Sequence, residues 1–143
     1  LLMTVNRAQS AANRQPWHFI VVEKKDRQEL NATLTREGFK NAPVIIAACA
    51  DPGQAWVRKT DGVNYAWVDV AIAVTEMIGA ATAEGIGTCW IASLDAARVK
   101  QILDIPERIE VVGMIALGYP VEELKKEEKA RKPVGEIIHY GKW

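Results

Sequence analysis

The segment Asn64–Glu84 constrains the fold more than any other, because it is apolar on almost every face of the helix that it predicts. Its large apolar side chains are Tyr65, Trp67, Val68, Val70, Ile72, Val74, Met77 and Ile78. A helix that is apolar all round must be enclosed by other elements. A chain of 143 residues has difficulty enclosing so long a helix alone. We therefore predict that this helix also packs against a second subunit.

The same region raises the question of a membrane span, because Tyr65–Ala83 approaches the roughly 20 residues needed to cross a bilayer. Polar residues interrupt it: Asp69, Thr75, Glu76 and Thr82. A buried helix of a globular protein explains the pattern better. Residues 1–22 lack the apolar run of a signal peptide. The 18 basic and 18 acidic residues balance, which gives no reason to expect nucleic acid or a membrane as partner. We expect a cytoplasmic protein.

Strand and helix patterns alternate along the chain, which favours an α+β or α/β domain. Strands are predicted over Trp17–Glu23, Val44–Ala50, Gly87–Ala92 and Glu110–Gly118, with a poorer one over Val134–Tyr140. Further helices are predicted over Asp26–Glu37, ended by Gly38, and after an N-cap at Asp95. We expect one domain over residues 1–143, in which 122–143 is a charged linker and C-terminal extension.

Cys49 and Cys89 both lie in apolar runs, which predicts two buried, reduced thiols. The sequence has no C-x-x-C motif, and its two histidines are distant from the cysteines. We therefore expect no structural metal site.

The segment Ser10–Val22 is the best candidate for ligand binding. A turn with small and amide-bearing side chains leads directly into an aromatic, β-branched strand. Ser10, Asn13 and Gln15 supply a hydroxyl and two carboxamides, each able to donate and accept hydrogen bonds. Pro16 fixes φ where the strand begins. Such a turn can bind the polar edge of a planar ring.

Other segments allow two interpretations each. Gly85–Trp90 begins like a dinucleotide fingerprint, but its sixth residue is not glycine and a strand follows it where a helix should. Lys129–Pro133 is either a solvated linker or a phosphate clamp, for which the planar fork of Arg131 is suited. Trp56 and Phe39 are either core aromatics or pocket residues that stack on a substrate ring. A G-x-S-x-G elbow and a buried pair of carboxylates are both missing.

Together these segments resemble the nitroreductase-like FMN-dependent oxidoreductases. The Ser10–Val22 segment matches the family's S-x-x-N-x-Q-P-W pattern, and Gly85–Ile91 matches its G-x-G-T-C-W-I pattern. Weaker support comes from Ala42–Val44, Asp69–Ala73, Leu117–Pro120 and Arg131–Glu136. The sequence departs from the family at Gln9, where a proline is usual. It also lacks the Arg-rich element that precedes the family's first helix.

The resemblance implies an α+β sandwich with a central mixed sheet, in an intertwined homodimer that binds FMN at the subunit interface. It implies reduction of nitroaromatics, quinones or other electron-poor acceptors by NADPH or NADH, in a ping-pong cycle through flavin N5. No catalytic side chain is implied. The residues expected at FMN are Ser10, Ala11, Asn13, Gln15, Trp90, Ile91, Ala92, Ser93, Lys129 and Arg131. Those expected at the substrate are Trp56 and Phe39.

Two alternatives remain open within this resemblance. One is a specialised flavoenzyme of the same fold, such as a reductive dehalogenase or a flavin-fragmenting enzyme. A long lid near residues 51–64 would mark such a specialist, and this stretch is short. The other is a flavin-binding protein without turnover.

Overall fold

The sheet has four strands in the order β1-β2-β4-β3. A computed structural model describes residues 2–121 and 129–143. The strands are β1 (Trp17–Glu23), β2 (Val44–Ala50), β3 (Gly87–Ile91) and β4 (Glu110–Gly118). Three of the four have the predicted bounds, and β3 is one residue shorter than predicted.

The sheet is antiparallel throughout the described chain, so the α+β class is confirmed but the mixed sheet is not found. β2 and β3 run in the same direction, because helix α4 (Ala66–Ala83) carries the chain from one to the other. They are not neighbours, since β4 inserts between them and pairs antiparallel with both. This insertion is why the sheet contains no parallel pair.

Helices cover both faces of the sheet and create two apolar layers. α1 (Leu2–Val5) and α4 pack on one face, where Val70, Val74 and Met77 of α4 are fully buried. α2 (Gln28–Asn31) and α5 (Ala96–Ile102) cover the other face, with α3 (Glu37–Asn41) beside them. The predicted N-cap of α5 is confirmed, because the Asp95 side chain accepts from the backbone N–H of Arg98 at 3.0 Å.

α4 begins two residues later and ends one residue earlier than the predicted segment Asn64–Glu84. Gly85 has φ of +72°, and the N–H of Ile86 donates to the carbonyl of Ala81 at 2.8 Å, which satisfies a carbonyl of the last turn. By length and composition alone α4 could cross a membrane. Its inner face instead packs on the sheet. Its outer face leaves Trp67, Val68 and Ile72 exposed by 52%, 45% and 36%.

Two predictions about local structure are wrong. Asp26–Glu37 does not form one helix: α2 ends at Asn31, and the Thr33 hydroxyl donates to the Leu30 carbonyl at 2.7 Å. Such side-chain bonds compete with helix continuation. Val134–Tyr140 contains a 3₁₀ turn, Val134–Glu136, and is exposed. Of the predicted linker, residues 122–128 lie outside the described part of the chain.

The two cysteines differ, although both were expected to be buried. Cys49 lies in the central strand β2 and is buried, with apolar residues of the second layer around it. Cys89 lies on β3, an edge strand, and is exposed. An edge strand can leave one face uncovered, so its apolar sequence does not by itself imply burial.

Candidate functional site

The segment Ser10–Gln15 forms an exposed turn with a strained backbone. Ala12, Asn13 and Gln15 have φ of 50°, 55° and 51°, in the left-handed region. Each non-glycine residue in this region costs on the order of 1–2 kcal/mol. Such strain persists where surrounding contacts impose it, and it is concentrated at functional sites.

Hydrogen bonds within the turn account for part of its shape. The Ser10 Oγ accepts from the Gln15 backbone N–H at 3.0 Å. The Gln15 Nε2 donates to the backbone oxygen and to the Oδ1 of Asn13, at 3.2 and 3.1 Å. The Ser10 hydroxyl keeps its own proton to donate. The turn therefore presents the kinds of donor and acceptor that suit the polar edge of a planar ring.

Two contacts fix the turn to the end of the sheet and to α4. The carbonyl of Pro16 accepts from the backbone N–H of Asp51 at 2.8 Å, just beyond the end of β2. The Oδ1 of Asp69 accepts from the backbone N–H of Ala11 at 2.9 Å. Sequence reasoning missed Asp69 as part of the site. The signal that could have found it is an acid within the first turn of the helix, with apolar residues on both sides of it in the sequence.

The end of β3 points toward the same end of the sheet. Trp17 at the start of β1 pairs with Ala50, and Ala50 pairs with Glu110 at the start of β4. β3 runs antiparallel to β4 and ends at Ile91, opposite Met114. The next residues, Ala92 and Ser93, are exposed. The Gly85–Ile91 segment therefore runs toward the end of the sheet that carries the Ser10–Gln15 turn, and it stops opposite the middle of β4.

The side chains near the end of β3 are packed rather than free. Ile91 is buried in the layer beneath α5, and Trp90 packs against the layer beneath α4. A Cβ on Gly113 would lie 2.8 Å from the Trp90 Nε1, so the indole occupies the space that the glycine leaves. Because these two side chains are packed, Trp90 and Ile91 could contact a ligand only through backbone groups, which is the kind of contact that the resemblance implies.

Trp56 lies on a short hairpin between β2 and α4, closed by a bridge between Val57 and Asn64. Its ring meets Tyr65 edge to face, with centroids 5.1 Å apart. Arg58 holds the hairpin: its guanidinium pairs with Asp61 at 2.5 Å and donates to the Tyr65 hydroxyl at 2.8 Å. These bonds with Arg58 lower the pKa of Asp61, and those with Asp61 raise the pKa of Arg58.

The remaining predicted residues are not brought to this end by the described contacts. Phe39 lines a cleft of about 430 Å³ together with Pro43, Gly87 and Tyr119, at the end of the sheet where β2 and β3 begin. Lys129 and Arg131 are exposed. The hydrogen bonds described for residues 129–143 lie within that segment. The contacts described within one subunit therefore do not bring the whole predicted set together.

Comparison with known proteins decides the family. A sequence profile of the Nitroreductase family matches residues 27–119, more than half of the chain. This chain belongs to the nitroreductase family. A relative from Archaeoglobus fulgidus, whose name proposes NADH dehydrogenase/NAD(P)H nitroreductase activity, is 35% identical over 100% of this chain and 83% of its own. The 5,6-dimethylbenzimidazole synthase of Rhodospirillum rubrum is 29% identical over 86% of this chain and 71% of its own.

Solved structures of nitroreductases confirm the fold. A nitroreductase family protein of Clostridium difficile 630 superposes with a TM-score of 0.90 at 25% identity, covering 99% of this chain and 83% of that one. An FMN-dependent nitroreductase of Clostridium difficile R20291 superposes with a TM-score of 0.77 at 26% identity, covering 99% and 84%. The nitroreductase-like resemblance seen in the sequence is therefore confirmed.

Proposed function

We propose that this nitroreductase family member is a cytoplasmic, single-domain FMN-dependent oxidoreductase that uses NADPH or NADH to reduce nitroaromatics, quinones or similar electron-poor acceptors. The observation that carries the proposal is the strained, amide-bearing turn Ser10–Gln15, fixed at the end of the sheet toward which β3 runs. An FMN-dependent nitroreductase among the structures with this fold supports the choice of cofactor.

The polar groups of the turn fit the ring of FMN. Ser10, Asn13 and Gln15 would bind its polar edge, and the backbone from Trp90 to Ser93 would lie against it. Lys129 and Arg131 would bind the phosphate, since a guanidinium fork donates two parallel hydrogen bonds. When bound, FMN supplies hydride acceptance and donation at N5, which permits a ping-pong cycle. The chain's own residues bind and orient the ring and tune its electrostatics.

The complete site would require two subunits. Phe39 lies at the opposite end of the sheet from Ser10–Gln15, so it can serve the same pocket only from a partner. The exposed apolar face of α4, with Trp67, Val68 and Ile72, supplies a surface for that partner. We therefore propose a homodimer with FMN between the subunits.

The short hairpin favours a reductase with an open pocket over a specialised enzyme. Arg58 and Asp61 stabilise this hairpin around Trp56 and leave little chain for a lid. The second candidate is a specialised activity of the same fold, because one relative is named as a synthase. A flavin-binding protein without turnover is the third.

The first test is an absorption spectrum of the purified protein mixed with FMN, before and after anaerobic NADPH or NADH. We expect bound flavin that bleaches and regains its colour when a quinone is added. Asn13→Ala combined with Gln15→Ala should weaken FMN binding by about tenfold or more, since each lost hydrogen bond costs about 1 kcal/mol. Gln101→Ala removes an exposed amide outside the site and should leave affinity unchanged.

Each other outcome points elsewhere. Wild-type protein that does not take up FMN contradicts the proposal. Bound flavin that stays oxidised under excess NADPH and NADH favours the protein without turnover. Conversion of FMN into another product favours the specialised enzyme.

A further inference from the structure

Asp69 is unusual because it is an acid buried beneath the turn Ser10–Gln15 with only part of its hydrogen bonding satisfied. Its side chain lies on the inner face of α4 and is 1% exposed. The Oδ1 accepts from the backbone N–H of Ala11, whereas the Oδ2 is buried without a partner in the described part of the chain. Burying a carboxylate in this way is costly. Stability alone does not account for an acid at this position.

The one bond that Asp69 makes is placed to control the turn. Ala11 is the first residue of the 3₁₀ turn Ala11–Asn13, and the left-handed residues Ala12 and Asn13 follow it directly. An acceptor in the core thus fixes the backbone immediately before the strained residues. The Ser10–Gln15 bond closes the turn on its exposed side but does not attach it to the body of the protein.

We infer that Asp69 is a positioning residue, whose bond to Ala11 holds the Ser10–Gln15 turn in its ligand-binding conformation. This inference rests on the proposed flavin function for its consequence, but not for its structural part. Asp69 does not touch the ligand: its free Oδ2 is buried. It preorganises the donors and acceptors of Ser10, Asn13 and Gln15, so that a ligand need not order them.

The structural part is tested in flavin-free protein by amide hydrogen exchange at Ala11 and by trypsin cleavage after Arg14, which is exposed within the turn. Asp69→Leu removes the acceptor and fills the buried space. We expect Ala11 protection and resistance at Arg14 each to fall about tenfold or more, the effect of losing one hydrogen bond to a charged acceptor. Cleavage after Arg131, in the exposed C-terminal segment, serves as the internal reference.

Two further variants separate positioning from general damage. Asp69→Asn keeps an acceptor oxygen and should restore Ala11 protection. Glu76→Gln removes a charge from the exposed side of the same helix and should change nothing. If Asp69→Leu fails to fold, Ala11→Pro removes the donor from the other side of the bond. Proline is tolerated at the first position of a helical turn. It should also expose Arg14 to trypsin.

The functional part is tested by measuring the dissociation constant for FMN in the same variants. We expect Asp69→Leu to weaken FMN binding about tenfold and Asp69→Asn to weaken it less than threefold. Unchanged Ala11 protection in a folded Asp69→Leu variant would overturn the inference. So would a turn that loosens while FMN affinity stays at the wild-type value. Wild-type protein that does not bind FMN would instead contradict the proposed function. The exchange and cleavage results would still decide whether Asp69 positions the turn.

Discussion

At the scale of single residues, the sheet gives the two cysteines opposite chemistry. Cys49 is enclosed in β2, and burial of its thiolate raises the pKa to about 11. Cys89 lies on the uncovered side of the edge strand β3. Because the thiolate is the reactive form, position in the sheet rather than local sequence decides which cysteine can react.

Labelling with a thiol reagent at pH 8 should therefore modify Cys89 and spare Cys49. A thiol with a pKa of about 11 is about one part in a thousand ionised at that pH. Counting labelled thiols by mass spectrometry should give one in native protein and two after denaturation. Cys89→Ser should abolish native labelling, whereas Cys49→Ser should not alter it. Labelling of Cys49 in the folded protein would contradict this assignment of burial.

At the scale of secondary-structure elements, one buried arginine joins α2 to the chain that enters β2. Arg27 is 1% exposed and precedes α2. Its guanidinium donates to the carbonyls of Lys40, at 2.7 Å, and of Ala42, at the end of α3. Desolvation lowers its pKa. These bonds satisfy carbonyls that the short helix α3 leaves open.

Arg27→Ala should lower the free energy of unfolding by about 3 kcal/mol, because it removes charged hydrogen bonds and leaves buried carbonyls unpaired. Urea denaturation measures the change. Arg27→Met should cost less, since it fills the space and avoids the desolvation of a charge. Arg36→Ala, at an exposed arginine beside Phe39, is the control and should cost less than about 1 kcal/mol. Equal losses for Arg27→Ala and Arg36→Ala would show that the buried bonds contribute nothing.

Prediction from the sequence succeeded for elements whose pattern is local. β1, β2 and β4 were predicted to the residue, because β-branched runs bounded by Pro, Asp and Gly identify strands. The sequence did not predict the split between α2 and α3, because the split depends on the hydroxyl of Thr33 and on contacts of Arg27 with residues 13 and 15 positions later in the chain. The exposure of Cys89 escaped because sequence does not reveal strand order. Asp69 escaped as a site residue because its partner, Ala11, is distant in sequence.

At the scale of the whole molecule, the described chain leaves many large apolar side chains exposed, among them those on the outer face of α4 and in the C-terminal segment. The outer face of α4 exposes Trp67, Val68 and Ile72. The C-terminal segment exposes further large apolar side chains: Val134, Ile137, Ile138, Tyr140 and Trp143. Contiguous exposed apolar surface usually marks an interface with another protein. We therefore expect α4 to pack against a second subunit.

A charge on the outer face of α4 should therefore separate the proposed dimer. Ile72→Glu should convert the protein from a species of twice the chain mass to one of 15.8 kDa in light scattering or sedimentation. Burying a carboxylate without a partner in an interface opposes association by several kcal/mol, which is about what the most important residues of an interface contribute. Because we propose that FMN lies between the two subunits, its affinity should fall with the mass. Val63→Glu adds the same charge at a valine 42% exposed on the hairpin and should leave the mass unchanged. If the Ile72→Glu variant keeps twice the chain mass, the interface lies on another surface. If the variant is monomeric and still binds FMN tightly, one subunit holds the FMN site alone.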